Sequence, residues 1–289
     1  MSQQIAIVTD SNSGITQETA KKLGISVLPM PFIINEETFY EDVNLSQTDF
    51  YQRLQNDEKI STSQPAIGDI LDLWDKLLEN HDALIHIPMS SGLSGSCATA
   101  TTLAEDYGGR IQVVNNQRIS ATMRQSVMDA LQLVKAGKNA DEIKEILEKT
   151  KFESSIYIML DNLKYLKRGG RITPAAAAIA TVLKIKPVLQ IQGEKLDAFA
   201  KARSEKQARS IMIDALRNDI ETRFGGIDQV RLYVAHTDRG ADAKEFCKTI
   251  ELEFGQQITF CDPLALSIAC HTGPGALGIG CSRKIDCYL

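Results

Sequence analysis

Ala83-Leu84-Ile85-His86-Ile87, followed closely by Ser90-Ser91-Gly92-Leu93-Ser94-Gly95-Ser96, is the stretch that decides how this chain is read. Five apolar or aromatic residues in a row suit a strand buried on both faces. The small-residue pattern of residues 97–105 suits a helix. A buried strand, a glycine turn carrying hydroxyls and a helix start together present donors to an anion. The unpaired N–H groups of a helix N-terminus carry partial positive charge, and the hydroxyls add neutral donors. Serine is equally at home as an N-cap and turn residue, so the stretch alone reads as well as a capped helix start.

Strands and helices alternate on either side of it, which predicts an α/β architecture. Strands are expected over residues 5–8, 27–34, 83–87, 111–114 and 156–160, with Pro29 and Pro31 placing the second near a sheet edge. Helices are expected over residues 16–23, 46–54, 66–78, 97–105, 120–135 and 141–149. These predict a mostly parallel sheet with helices on both faces. Beyond residue 155 the pattern changes. A short helix over 163–167 runs into Arg168-Gly169-Gly170-Arg171, and Pro174 opens an alanine-rich helix over 175–183. A hairpin over 186–200 follows, then a long helix (204–224), a strand (230–235), a helix (241–254), a strand (257–261) and a glycine-rich end. Two domains are expected, residues 1–155 and 156–289, with either terminal segment able to cross over.

Composition excludes several classes. At 289 residues, 43% hydrophobic and 24% charged, the chain is ordinary for a globular protein, and a net charge of −5 without a basic run argues against a nucleic-acid surface. Six cysteines show no C-x-x-C spacing and no signal peptide is visible, which predicts reduced thiols and a cytoplasmic location. Four histidines never fall at metal-ligand spacing, so no metal is expected, and no apolar run is long enough for stable membrane insertion. Gly273-Pro274-Gly275-Ala276-Leu277-Gly278 matches G-x-G-x-x-G but lies too near the end for the acidic ribose ligand about 20 residues on. Gly92-Leu93-Ser94-Gly95-Ser96 lacks the last glycine of a hydrolase elbow, and no Walker A sequence exists.

Four segments are candidates to converge on one anion: Ser61-Thr62-Ser63-Gln64, Ser90 to Ser96, Arg168 to Arg171 with Arg203, and His271 with its glycines. The first two lie where open α/β sheets bind ligands, beyond strand C-termini and at helix starts. Each also has a plain reading. Thr62 and Ser63 suit a helix cap, Arg168 and Arg171 suit helix C-terminal charge beside a glycine cap, and a lone histidine is commonly structural. The small side chains of residues 175–180 either leave room beside a helix or let two helices approach closely.

Taken together, the segments resemble the DegV family of bacterial fatty-acid-binding proteins, which serve as the B subunit of fatty acid kinase. The resemblance runs over nearly the whole chain. It rests on Val8-Thr9-Asp10-Ser11, Thr62-Ser63-Gln64-Pro65, Ser90-Ser91-Gly92-Leu93-Ser94-Gly95, Leu166-Lys167-Arg168-Gly169-Gly170-Arg171-Ile172, Leu183-Lys184-Ile185-Lys186-Pro187, Lys201-Ala202-Arg203 and His271-Thr272-Gly273-Pro274-Gly275. It implies a three-layer α/β/α domain and a two-layer α/β domain with a mixed sheet, with one long-chain fatty acid buried between them. It implies a carboxylate held by Thr62, Ser91 and His271, with Ser63 and Ser94 as neighbours. A partner ATP-binding kinase subunit would phosphorylate that carboxylate for phospholipid synthesis, with Arg171 and Arg203 meeting the kinase or the phosphate. The chain itself would be no enzyme and need no cofactor. Where the family often has Asp-Ser after the fourth strand, this chain has Asn115-Asn116. A stand-alone lipid carrier or sensor, and an enzyme acting on a phosphorylated metabolite, are the alternatives.

Overall fold

In the computed structural model the described residues are 3–161, 163–171, 173–174 and 185–289. The alanine-rich helix expected over 175–183 lies outside them. The chain divides into two compact units. One comprises Met1–Ser46, Lys59–Phe152 and Ile285–Leu289; the other comprises Gln47–Glu58 and Glu153–Lys284. Beside a main crossing near the expected boundary, a helical excursion (47–58) and the C-terminal residues are exchanged between them.

The first unit is built on a parallel sheet of order β2-β1-β6-β7. Its strands are β1 (Ile5–Asp10), β2 (Ser26–Leu28), β6 (Ala83–Ile87) and β7 (Ile111–Val113). Successive side chains point to opposite faces, so both faces must be covered. Ile7 and Ile85 pack with Ala20 of α1 (Gln17–Leu23), Val127 of α5 (Ser120–Lys135) and Ile143 of α6 (Ala140–Lys149). Ala6, Val8 and Leu84 pack with Ile70 and Trp74 of α3 (Ile67–Leu78) and Ala100 of α4 (Ser96–Ala104). That gives the expected three layers.

Residues 27–34 do not form the single strand expected of them. β2 stops at Leu28, and β3 (Pro31–Ile34) joins a separate antiparallel sheet between β4 (Glu37–Tyr40) and β5 (Ile60–Thr62). Pro29 has no N–H for a ladder. The N–H of Met30 donates instead to the Ser11 hydroxyl at 3.0 Å, so the chain leaves the sheet there.

The second unit has a mixed sheet of order β10-β9-β8-β13-β11-β12. β8 (Ser154–Met159), expected from the sequence to join the mostly parallel sheet, belongs here instead and pairs antiparallel with β9 (Lys186–Ile191) and β13 (Leu277–Arg283). β9 forms the expected hairpin with β10 (Asp197–Ala202), and β11 (Val230–His236) pairs parallel with the edge strand β12 (Ile258–Pro263). Met212 and Leu216 of α8 (Glu205–Thr222) and Phe246 and Ile250 of α9 (Gly240–Phe254) cover one face against Tyr157, Val188, Leu232 and Ile279. The other face carries Ile158, Leu160 and Leu189, packed with Leu166 of α7 (Lys164–Gly169) and Ile268 of α10 (Leu266–Thr272). Among the described residues no helix is long and apolar enough to cross a membrane.

β13 was not expected, because its glycines hide the alternation of a strand. They are there for space. A Cβ on Gly280 would stand 2.9 Å from the Ser155 carbonyl oxygen in the neighbouring strand. Backbone cannot yield as a side-chain tip can, so Gly280→Ala is expected to cost about 1–3 kcal/mol of stability, the usual penalty of overpacking. Thermal unfolding checks this, and an unchanged melting temperature refutes the crowding.

Candidate functional site

In the first unit the C-terminal ends of the parallel strands carry the polar residues. Thr9 ends its strand by donating its hydroxyl to the Ile87 carbonyl at 2.9 Å. Asp10 follows, fully buried, and accepts three N–H donors. They are the Met89 backbone at 2.8 Å, the Asn12 backbone at 2.9 Å and the Asn12 carboxamide at 2.7 Å. Burial outweighs these bonds and pushes the Asp10 carboxyl up to about 6. On the other side, the Ser90 N–H donates to the Arg118 carbonyl at 2.9 Å. The segment Met89-Ser90 is therefore fixed from two directions, which sets the position of the turn after it.

Within that turn the hydroxyls have separate tasks. Ser90 accepts from the Gly92 N–H at 3.3 Å, and Ser94 accepts from the Ser96 N–H at 3.2 Å. Ser94 thus closes the turn at the start of α4. The hydroxyl of Ser91, half-buried, makes no hydrogen bond among the described residues. Thr62 is the last residue of β5, and Ser63 donates its N–H to the Pro31 carbonyl at 3.1 Å. Neither caps α3, whose N-cap is Ala66 without a side-chain bond. These two segments lie side by side. Gln64 accepts from the Thr99 hydroxyl on α4 at 3.1 Å, and its Oε1 lies 3.4 Å from where a Cβ on Gly95 would be.

In the second unit His271 sits in the last turn of α10, against α7. The fit is close. A Cβ on Gly169 would fall 2.1 Å from His271 Nδ1, and one on Gly273 would fall 2.2 Å from the Tyr165 ring. Only bare Cα atoms allow this approach. Gly170 has a different reason to be glycine: with φ of 66° it is the left-handed C-cap of α7. Arg171 donates to the Gly169 carbonyl, beside the imidazole. Burial first, and the Arg171 charge second, lower His271 to about 4, so the ring is neutral at pH 7. Arg168 pairs instead with Asp57 at 2.9 Å, as does Lys164 at 3.0 Å. Arg203 is exposed at the β10–α8 junction, where its N–H donates to Gln207 Oε1 at 2.7 Å. The described contacts join His271, Gly169 and Arg171 and leave Arg203 apart from them. The Gly273–Gly278 run leads into β13, not a helix, so it offers no helix N-terminus to a pyrophosphate.

Residues 4–284 match the model of a family described as the uncharacterised DegV family. The chain belongs to the DegV family. A DegV domain-containing protein of Listeria monocytogenes is 32% identical, the match covering 98% of this chain and 100% of that one. Among solved structures, a fatty-acid-binding DegV family protein from Thermus thermophilus is 28% identical with a TM-score of 0.88, over 97% of this chain and 100% of that one. DegV of Bacillus subtilis, a fatty acid binding protein, is 30% identical with a TM-score of 0.85, over 98% and 100%.

In this DegV protein three features escaped the sequence reading. Asp10 was legible as a motif member but not as the brace of the serine turn. Gly169 looked like a helix end, and its role as the seat of His271 needed α10, which was not foreseen. Asn116, noted only as a departure from the family, is 1% exposed with neither amide atom hydrogen-bonded. An aspartate at a parallel strand's C-terminal end beside a Ser-Asn turn was the available signal for the first.

The depressed His271 also sets a pH signature. Between its ordinary value of 6.5 and about 4, the unfolded chain takes up a proton that the folded chain refuses. That contribution to stability is fully present above pH 6.5 and is lost as pH falls toward 4. In His271→Gln this part of the pH dependence is expected to vanish, measured by denaturant midpoints across that range; an unaltered profile would refute the burial of the ring.

Proposed function

We propose that this DegV protein binds one long-chain fatty acid and presents its carboxylate to a partner ATP-dependent kinase subunit, yielding an acyl phosphate for phospholipid synthesis. The observation that carries this reading is the pair of turns at the strand ends of the first unit. They are braced by Asp10 and by the Gln64–Thr99 bond, yet keep the Ser91 hydroxyl out of internal bonding. Solved relatives of the same fold at 28% and 30% identity are fatty acid binding proteins.

In this reading Thr62 and Ser91 donate their hydroxyls to the carboxylate, with Ser63 beside them, and the neutral His271 ring donates its N–H. A buried carboxylate is costly unless several donors meet it, and bonds to a charged acceptor are the strong kind. Ser94 contributes through turn geometry. Burying a methylene is worth about 0.8 kcal/mol, so a sixteen-carbon tail supplies roughly 10 kcal/mol before ordering costs. An ionised carboxylate is already nucleophilic, so no general base is needed for phosphoryl transfer. The chain has no nucleotide loop in its sequence, so ATP comes with the partner. In this reading Arg171, beside His271, offsets phosphate charge after transfer, and Arg203 meets the kinase.

Solvent extraction of purified protein followed by mass spectrometry tests the first step; one fatty acid per chain is expected, and folded protein that neither yields nor takes up fatty acid refutes the reading. In an assay with kinase subunit and ATP, Ser91→Ala is expected to lower acyl phosphate formation about 10-fold, the loss of one hydrogen bond to a charged group. Undiminished formation would remove Ser91 from the site.

A further inference from the structure

The geometry points to a reversible disulfide between Cys247 and Cys261. The two cysteines lie on different elements of the second unit, α9 and the edge strand β12, on either side of the turn that joins them. Their sulfurs are 2.8 Å apart, with the Cys247 thiol donating to Cys261. Cys261 is exposed, whereas Cys247 is buried beneath it. Burial and the adjacent sulfur hold the Cys247 thiol above its ordinary range.

Exposure and burial divide the chemistry. A peroxide reaches Cys261 first. Its thiolate attacks one peroxide oxygen, the O–O bond breaks, and the products are a sulfenic acid at Cys261 and hydroxide. Cys247, already in contact, then attacks the Cys261 sulfur. The S–S bond forms, the S–O bond breaks, and the Cys247 proton leaves with the hydroxyl as water. Two thiols and one hydrogen peroxide thus give one disulfide and two waters. A dithiol reductant reverses the step by exchange.

The bond staples the middle of α9 to β12. That strand runs through Leu264 and Ala265 into α10, the helix that carries His271. β12 is one of the two edge strands of this sheet and pairs on one side only, so the bond adds a second tether to it. The closed loop is short, and cross-linking it is expected to raise the melting temperature of the oxidised protein by roughly 5 °C.

The test treats native full-length protein with hydrogen peroxide, blocks remaining thiols with iodoacetamide, and maps peptides by mass spectrometry without reduction. A linked peptide pair containing Cys247 and Cys261 is expected, lost on dithiothreitol treatment and absent from Cys261→Ser. Cys247→Ala, a second variant, is expected to accumulate sulfenic or sulfinic acid at Cys261. Cys261 over-oxidised in the wild type with Cys247 still alkylated would overturn the inference. So would a link from Cys261 to Cys287 or to a second copy of the chain.

Discussion

Gly169→Ala is expected to weaken fatty acid binding about 10- to 100-fold without loss of stability. The added methyl group would fall 2.1 Å from His271 Nδ1 and 2.9 Å from Cε1, so the imidazole must swing away. Gly169 is not in the left-handed region, and alanine is the better helix former. In the proposed carboxylate site the loss is that of one hydrogen bond to a charged acceptor, about 1.5–3 kcal/mol. Displacement of a fluorescent fatty acid, read beside the melting temperature, measures both quantities. His271→Ala should give a loss of the same size. The double variant should be no worse than either, because both changes remove one contact. Affinity equal to wild type in Gly169→Ala would mean that the ring's position does not matter to the ligand.

The second large effect belongs to Asp10. In Asp10→Asn the carboxamide NH2 replaces one oxygen and turns a donor toward either the Met89 or the Asn12 N–H, leaving a buried donor unpaired. That costs about 1–3 kcal/mol and loosens the serine turn. The size depends on pH, and its sign follows from the proton count. Asp10 titrates near 6 when folded against 3.8 unfolded, so the folded chain holds more protons between those values. Its stabilising contribution is complete below about pH 4 and is lost as pH rises through 6, by about 3 kcal/mol in all. Asparagine has no such loss. The penalty of Asp10→Asn is therefore expected to be greatest at and below about pH 4 and to shrink as pH rises toward 6. Urea midpoints at pH 5 and pH 8 compare the two, and an identical penalty at both would refute the burial of an ionisable Asp10. Under the proposed function, acyl phosphate formation with a kinase subunit should also fall, since Ser91 stands two residues beyond Met89.

Much of this protein is set by local patterns. Continuous apolar runs such as 83–87 mark strands buried on both faces, and Gly24 and Gly170 end their helices because a left-handed residue is needed there. The serine turn, Thr62 and His271 were visible because each stands in a short motif beside a turn or glycine run at the end of a strand or helix. What the pattern could not supply was pairing. Nothing local in residues 27–34 says that one chain segment serves two sheets. Nothing in the glycines of 273–283 says that they form the strand between β8 and β11. Those outcomes depend on which backbone lies across the gap, as the 2.9 Å approach of the Ser155 carbonyl to the Gly280 position shows.

The sequence by itself determined the α/β class, the family and the residue types of the candidate site, because periodicity, turn chemistry and motif order are properties of neighbours along the chain. Only the tertiary structure decided that Asp10 holds Met89, that Gly169 makes room for His271 and that Cys247 meets Cys261. Each is a contact between residues distant enough in sequence that no local rule constrains them, and each is fixed by how the sheets and helices stack.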